Sequence, residues 1–272
     1  MSERIKENTS ALMTLCPECK GSGKISIFKT IEGYSYPVEF LADCPVCKGG
    51  QSQRAEIRKS FSNIPQSYYQ SRLKDFDWNI YRDKDSQPVK MTSKKLFVDG
   101  FIEKFEEIRR EGKGIYIYSR TKGSGKTFLA SCICNELIDR YAIKTRFVRA
   151  TDILNIAQSG DKSSPDEYEK NRLKIYSECE LLVIDDIGQK KTGLEWLSEE
   201  LFKIIDDRYT KKLVTVYTSN LRINELEIDD RIIDRINKTA IEFPLPEYNV
   251  RSREANKEKI DFFRKLGLIR EE

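Results

Sequence analysis

The chain has 272 residues, enough for one mid-sized domain and an accessory module, and its 39% hydrophobic residues suffice for a core. Its 48 basic and 44 acidic residues leave a net charge of only +4, which permits local basic patches without announcing nucleic acid. The histidine count is zero, which excludes Ser-His-Asp and Cys-His nucleophiles, HExxH zinc proteases and any histidine proton shuttle.

No run approaches the roughly 20 apolar residues of a membrane-spanning helix. The opening MSERIKENTS lacks the apolar core of a secretory signal, so a cytoplasmic protein is expected. Residues 1–50 carry two matched knuckles, Cys16-Pro17-Glu18-Cys19 and Cys44-Pro45-Val46-Cys47, spaced C-x2-C-x24-C-x2-C. Each CxxC turn can present two thiolates to one face of a zinc ion, and the second completes a closed, structural tetrahedron. Both knuckles continue into Lys-Gly, where glycine frees backbone N–H groups to turn toward the sulfurs. Between them, 24–30 and 34–41 read as strands around the Glu32-Gly33 turn, so the segment resembles a zinc ribbon. A redox CxxC pair or two disulfides are the alternatives, and two matched knuckles in a chain without a signal argue against both.

Residues 51–60 are polar and charged, a linker or a short exposed helix. An aromatic-rich stretch follows from Ile64-Pro65 through Phe76 and Trp78, then a charged loop over 82–90. Apolar residues at 97, 98, 101, 102, 105 and 108 predict a helix over 97–110.

From residue 112 strands and helices alternate. Strands are predicted at 114–118, 145–149, 181–184, 213–217 and 240–243. Helices are predicted at 127–141, from a cap at Thr151-Asp152 through 158, up to about 177, and at 195–209. Buried, β-branched strands separated by helices argue an α/β fold with a parallel sheet and helices on both faces. Cys132, Cys134 and Cys179 sit in apolar runs and read as buried structural thiols.

The loop after the first of these strands, Ser119-Arg120-Thr121-Lys122-Gly123-Ser124-Gly125-Lys126-Thr127, fits G-x-x-x-x-G-K-[ST] except that Arg120 replaces the first glycine. Gly123 and Gly125 let backbone N–H groups curl around phosphate oxygens at a helix N-terminus. Lys126 supplies a point charge for the β- and γ-phosphates of ATP and Thr127 a hydroxyl for Mg²⁺. Arg120 cannot enter the left-handed region cheaply, so the first turn of the loop must take another shape. Asp185-Asp186 ends an apolar strand, at the edge where open parallel sheets bind nucleotides. Asp185 is the candidate Mg²⁺ partner of Thr127, and Asp186 the group that orients the attacking water. Asn220 ends the strand before it and can reach the γ-phosphate or that water if the two strands are neighbours. Arg231 and Arg235 share one helix face and can stabilise a transferring phosphoryl group from a neighbouring subunit, whereas Arg251 or Arg253 can reach nucleotide within the chain. The bland readings are an exposed strand-end turn for Asp185-Asp186, a turn-forming Ser-Asn for Asn220 and surface Asp-Arg pairing for Arg231 and Arg235.

Taken together, these residues resemble the P-loop AAA+ ATPases of the DnaC/DnaI helicase-loader group, which also contains IstB-like transposition helpers. The resemblance covers about residues 64–253: Ile64-Pro65 with Phe76 for the segment ahead of the core, GSGKT for Walker A, LLVIDDIG for Walker B, TSN for sensor 1, DRIIDRI for the arginine-finger box and YNVRSR for sensor 2. It implies Arg235 as the finger acting in trans with Arg231 beside it, and Arg251 as the sensor 2 arginine. It also implies a loader that self-associates on ATP and places a DnaB-type replicative helicase on single-stranded DNA. The alternatives are a transposition helper and a zinc-dependent DNA-binding adaptor with an ATP switch. The expected organisation is a zinc ribbon over 1–50, a linker and pre-core segment over 51–95, and the ATPase domain over 96–272. Lys190-Lys191, Lys211-Lys212, Arg146 and Arg149 are candidate phosphate contacts, or solvated loop charges.

Overall fold

The computed structural model describes residues 18, 24–30, 37–46, 51–153, 167–188, 197–266 and 268. Cys16, Cys19, Cys47, the Glu32-Gly33 turn, Lys190-Lys191 and most of the helix expected after Thr151 lie outside the described residues. The chain divides into two compact units, Met1–Ile57 and Arg58–Glu272. The segment expected to link the domains therefore straddles that division.

In the first unit, β1 (Lys24–Lys29) and β2 (Val38–Asp43) pair antiparallel, with Lys24 opposite Asp43 and Lys29 opposite Val38. The second strand starts four residues later than its sequence predicts. Pro37 precedes it immediately, and a proline, lacking an N–H, is tolerated at the margin of a ladder rather than inside it. Cys44 follows β2 directly and is fully buried. Helix α1 (Gln51–Ser60) forms where a linker or short helix was expected.

The second unit is built on a parallel sheet of β3 (Gly114–Tyr118), β4 (Thr145–Arg149), β5 (Leu181–Ile187), β6 (Val214–Ser219) and β7 (Ala240–Pro244). The spatial order is β4-β5-β6-β3-β7, and all neighbours run parallel. Strands β3 and β6 are buried along their whole length, as expected of apolar runs covered on both faces. Gly114 is required where β3 approaches β6, because a Cβ there would lie 1.8 Å from the Thr215 carbonyl oxygen.

Side chains alternate across the sheet and each set meets its own helices. Helix α4 (Lys126–Tyr141) packs on β3, β5 and β6 and buries Leu129, Ile133 and Leu137. Helices α5 (Glu167–Glu178), α6 (Leu197–Thr210) and α7 (Asp230–Thr239) contribute Tyr176, Leu201, Ile205, Ile232 and Ile236 to a separate core with Tyr116, Leu182, Ile184 and Tyr217. The expected α/β architecture with helices on both faces is present. Arg208 of α6 is fully buried there, donating to the carbonyls of Tyr176, Cys179 and Val214 at 2.6–2.8 Å and to Thr215 Oγ1 at 2.9 Å. Cys132, Cys134 and Cys179 are buried, and burial raises all three thiols, Cys132 to about 12. They are inert packing groups, as their apolar contexts indicated.

The single helix expected over 97–110 is two helices, α2 (Thr92–Glu103) and α3 (Phe105–Glu111). The break at Lys104 turns Phe105 under Phe101 and toward Tyr141, with ring centroids 6.0 and 5.5 Å apart. Packing Phe105 against Phe101 and the half-buried Tyr141 outweighs an unbroken helix. The segment before α2 is fastened to α4: Asn135 Nδ2 donates to the carbonyls of Tyr68 and Ser71 at 3.0 and 2.9 Å, and Phe76 stacks 6.0 Å from Phe128. The last helix is α8 (Val250–Lys265), capped by the Asn249 side chain. Among the described residues no helix is long and apolar enough to cross a membrane.

Candidate functional site

Strand β3 runs into the glycine-rich loop and α4 begins at its end. Gly123 and Gly125 adopt φ of +75° and +92°, which only glycine reaches without strain, and Gly125 is the last residue before the helix. Arg120 avoids the positive-φ region, as its side chain demands. Among the described residues the amides of Gly123, Ser124 and Gly125 meet no acceptor. Exposed N–H groups at a helix N-terminus fit an anionic phosphate.

Lys126 is almost buried, and its ammonium donates to the carbonyls of Ser119 and Thr121 at 3.0 Å each and to Ser124 Oγ at 3.2 Å. Burial lowers its pKa, opposed by the negative charges of Asp186, Glu247 and Asp185. Tyr81 supports the loop from the pre-core segment, donating its hydroxyl to the Ser124 carbonyl at 2.9 Å.

Across from the loop, Asp185 Oδ1 accepts from Thr127 Oγ1 at 2.9 Å and Thr218 Oγ1 at 2.6 Å. Asp185 is 3% exposed, and burial raises its pKa against the lowering effect of the Thr218 and Thr127 hydroxyls. A bulge between Ile184 and Ile187 interrupts the pairing of β5 with β6, and Asp186 sits within it at φ +56°. Asp186 thereby borders the cleft while Asp185 stays behind Thr127. The Asp186 amide donates to Thr218 Oγ1 at 3.0 Å, so that one hydroxyl links both aspartates. Replacing Asp185 with Asn removes a buried charge. The nucleotide-free Asp185→Asn chain should therefore melt a few degrees higher at neutral pH. Because the folded state favours the protonated acid, the penalty in the parent develops as pH rises past the ordinary value of 3.8. The two melting curves, recorded by circular dichroism, should converge as pH falls to that value.

The loop and Asp186 line a cleft of about 380 Å³ bordered by Tyr68, 122–128, Asp186, Asn220, Val250, Arg251 and Glu254. Strand β6 neighbours β5, the condition on which the reading of Asn220 depended. Gly123 meets the start of α8: a Cβ there would lie 2.6 Å from Asn249 Oδ1, and the Arg251 amide donates to the Gly123 carbonyl at 3.1 Å. Arg251 borders the cleft, whereas Arg253 donates to the Ile80 carbonyl and Tyr248 Oη at 3.3 and 3.1 Å. Of the two arginines between which the sequence left the choice open, Arg251 is the one that lines the cleft. Lys122, Lys126 and Arg251 border the cleft against Asp186 and Glu254, a basic lining that suits a polyphosphate, and Asp185 behind Thr127 stands where an accompanying divalent cation would sit.

Arg231 and Arg235 do not reach this cleft within the chain. Arg231 forms a two-pronged pair with Asp229, the N-cap of α7, and lies over the Phe202 ring. Arg235 pairs with Asp206 at 2.7 Å and Asp234 at 2.9 Å. The structure also brings in groups that the motif reading passed over. Thr218 stood beside Asn220 in the quoted TSN, and a hydroxyl at the end of a strand next to Asp185 was the available signal. Glu247, a lone acid between Pro246 and Tyr248, gave none. Among the described residues no cluster of three metal-ligating side chains occurs, and Cys44 is the one ribbon cysteine that falls within them.

The chain is 25% identical over 198 residues to the replicative helicase loader DnaI of Bacillus subtilis, and 30% identical over 123 residues to the replicative helicase loader DnaC of Escherichia coli K12. Those alignments cover 72% and 44% of this chain, and 59% and 49% of the relatives, so the chain spans between about half and three fifths of their length. Among solved structures, DnaI superposes with a TM-score of 0.56 at 22% identity, covering 68% of this chain and 96% of that one. The DnaC helicase loader gives 0.52 at 20% identity, covering 66% and 99%. A replication initiator DnaA bound to AMPPCP and single-stranded DNA gives 0.54 at 20% identity, covering 75% and 57%. These similarities establish a shared fold. The family model of IstB-like ATP binding proteins matches residues 51–241, well over half of the sequence, and with it the loop, both aspartates and Asn220. The chain belongs to the IstB-like ATP-binding protein family.

Proposed function

We propose that this protein is an ATPase that loads a DnaB-type replicative helicase onto single-stranded DNA in bacterial or phage replication. The observation that carries the reading is the convergence of Lys126, Thr127 and Asp185 at one end of the sheet, beside unpaired loop amides. The loader names of the relatives supply the partner class.

ATP binds as substrate with its phosphates on the amides of 123–127 and on Lys126. Magnesium fits the donor set: the Thr127 hydroxyl and, through water, the Asp185 carboxylate would hold it, and it would neutralise charge on the β- and γ-oxygens. Asp186 faces the cleft, where its carboxylate orients the attacking water and accepts its proton. Asn220 positions that water or the γ-phosphate, and Arg251 offsets phosphate charge from within the chain. Arg235 completes the site of a neighbouring subunit, with Arg231 beside it, so that self-association and turnover are linked.

In the first unit, Cys16, Cys19, Cys44 and Cys47 hold zinc and stiffen a ribbon that grips the partner. The antiparallel β1–β2 pair between the knuckles and the burial of Cys44 support this reading. The proposed division is a ribbon over 1–50, a linking and pre-core segment over 51–95 and an ATPase domain over 96–272, working in the cytoplasm.

The test is co-purification with a DnaB-type helicase and single-stranded DNA, with and without ATP. A ternary complex that depends on ATP is expected. A transposition helper is the alternative that the sequence resemblance left open, so a transposase is the second bait. Capture of the transposase together with failure to bind any DnaB-type helicase would overturn the loader assignment.

A further inference from the structure

The geometry points to Glu247 as a positioning residue that holds the entry of the phosphate loop in shape where Arg120 has replaced glycine. This inference rests on the reading of the cleft as a triphosphate site. Glu247 Oε1 accepts from the Arg120 amide at 3.0 Å, and Oε2 accepts from the Thr121 amide at 2.7 Å, Thr121 Oγ1 at 2.8 Å and Ser119 Oγ at 3.2 Å. The carbonyl of the Ser119–Arg120 peptide is meanwhile held by Lys126 Nζ at 3.0 Å. One peptide plane is thus fixed between a carboxylate on its N–H and an ammonium on its oxygen, which leaves it no low-energy rotation.

The contact is one stitch in a longer seam. The Leu245 amide donates to the Tyr118 carbonyl at 2.8 Å, Glu247 takes the next amides of the loop, and the Arg251 amide reaches the Gly123 carbonyl at 3.1 Å. The segment from β7 into α8 therefore runs alongside the loop from its first residue to its glycine. Burial pushes the Glu247 carboxyl up, but the amides and hydroxyls around it outweigh burial and hold it below the usual range. The Arg120 side chain turns outward to Glu225, so it does not compete for Glu247. A glycine at 120 would let the loop turn through the left-handed region. With arginine there, the shape must be imposed from outside the loop, and Glu247 imposes it.

The test compares the full chain with Glu247→Ala and Glu247→Gln by hydrogen exchange of the Arg120 and Thr121 amides without nucleotide, by calorimetric titration with ATP, and by steady-state turnover. In Glu247→Ala both amides should exchange faster, ATP affinity should weaken about tenfold, and KM should rise far more than kcat falls, because a lost loop shape weakens ground-state and transition-state binding together. Glu247→Gln keeps one carbonyl acceptor and should lie between parent and Ala, which also covers the case of an alanine variant that fails to fold. Unchanged exchange at both amides, or unchanged ATP affinity and KM, overturns the assignment. A fall in kcat at unchanged affinity overturns it too, because Glu247 would then act on the reaction itself. Faster exchange in a protein whose parent takes up no ATP would sink the triphosphate reading and leave the clamp on the loop standing.

Discussion

Lys126→Ala should lose ATP binding altogether within the range of a calorimetric titration. The ammonium is held inside the loop by its carbonyls, so its charge is fixed in one place. Without nucleotide it holds two carbonyls and a hydroxyl of the loop, a geometry that lets β- and γ-oxygens enter the same shell. Hydrogen bonds to charged groups contribute about 1.5–3 kcal/mol each, and two phosphate contacts together correspond to roughly 10²–10⁴ in affinity. Turnover should disappear with binding. Because the groups that the ammonium holds all belong to the loop, and alanine suits the first turn of α4, the fold should survive, as a circular dichroism spectrum would show. ATP uptake by Lys126→Ala at the parent's affinity would mean that the loop is not a phosphate site.

Arg235→Ala is expected to lose about 10³ in kcat while binding ATP normally, the signature of a charge used only in the transition state. Arg231 is expected to behave differently. Arg231 is committed to the N-terminus of its own helix, where Asp229 accepts from its Nε, its Nη2 and its backbone amide. Its removal should cost a little stability and spare turnover. Arg235 is held by Asp206 and Asp234 at a partly exposed position, where solvent screens an ion pair so that it is readily exchanged for a phosphoryl group. Mixing Lys126→Ala with Arg235→Ala subunits tests whether the arginine acts across subunits. Activity should reappear in the mixture, since an intact loop on one chain then meets an intact arginine on the other. A mixture as inactive as its components, or an Arg235→Ala protein with the parent's kcat, would remove Arg235 from this role.

What the sequence made legible was what it states locally. An apolar strand, a glycine-rich loop and a helix ending in Arg140-Tyr141 follow one another in twenty-odd residues, and each leaves its own mark in composition. The same holds for Leu181–Ile187, where four apolar residues run into two acids. The break at Lys104 was not legible, since an apolar stripe has the same period whether or not the helix pauses, and the pause is decided by where Phe101, Phe105 and Tyr141 pack. Glu247 was hidden for a related reason: its partners lie 126 to 128 residues earlier in the chain. Arg208 was hidden by chemistry, because a fully buried guanidinium in an otherwise amphipathic helix reads as a surface charge until the carbonyls around it are seen. Arg251 and Arg253 differ by two positions on one helix, and only the docking of α8 against Gly123 separates them.

The most direct measurement of the account is a calorimetric titration of the full chain with ATP, in magnesium and in a chelator, repeated on Asp185→Asn. One nucleotide per chain is predicted, bound more tightly with magnesium than without, and the increment due to magnesium should vanish in the variant while loop-dependent binding persists. Absence of ATP uptake by the parent, or an affinity indifferent to magnesium and equal in parent and variant, would contradict the claim that Lys126, Thr127 and Asp185 serve one metal-bound triphosphate.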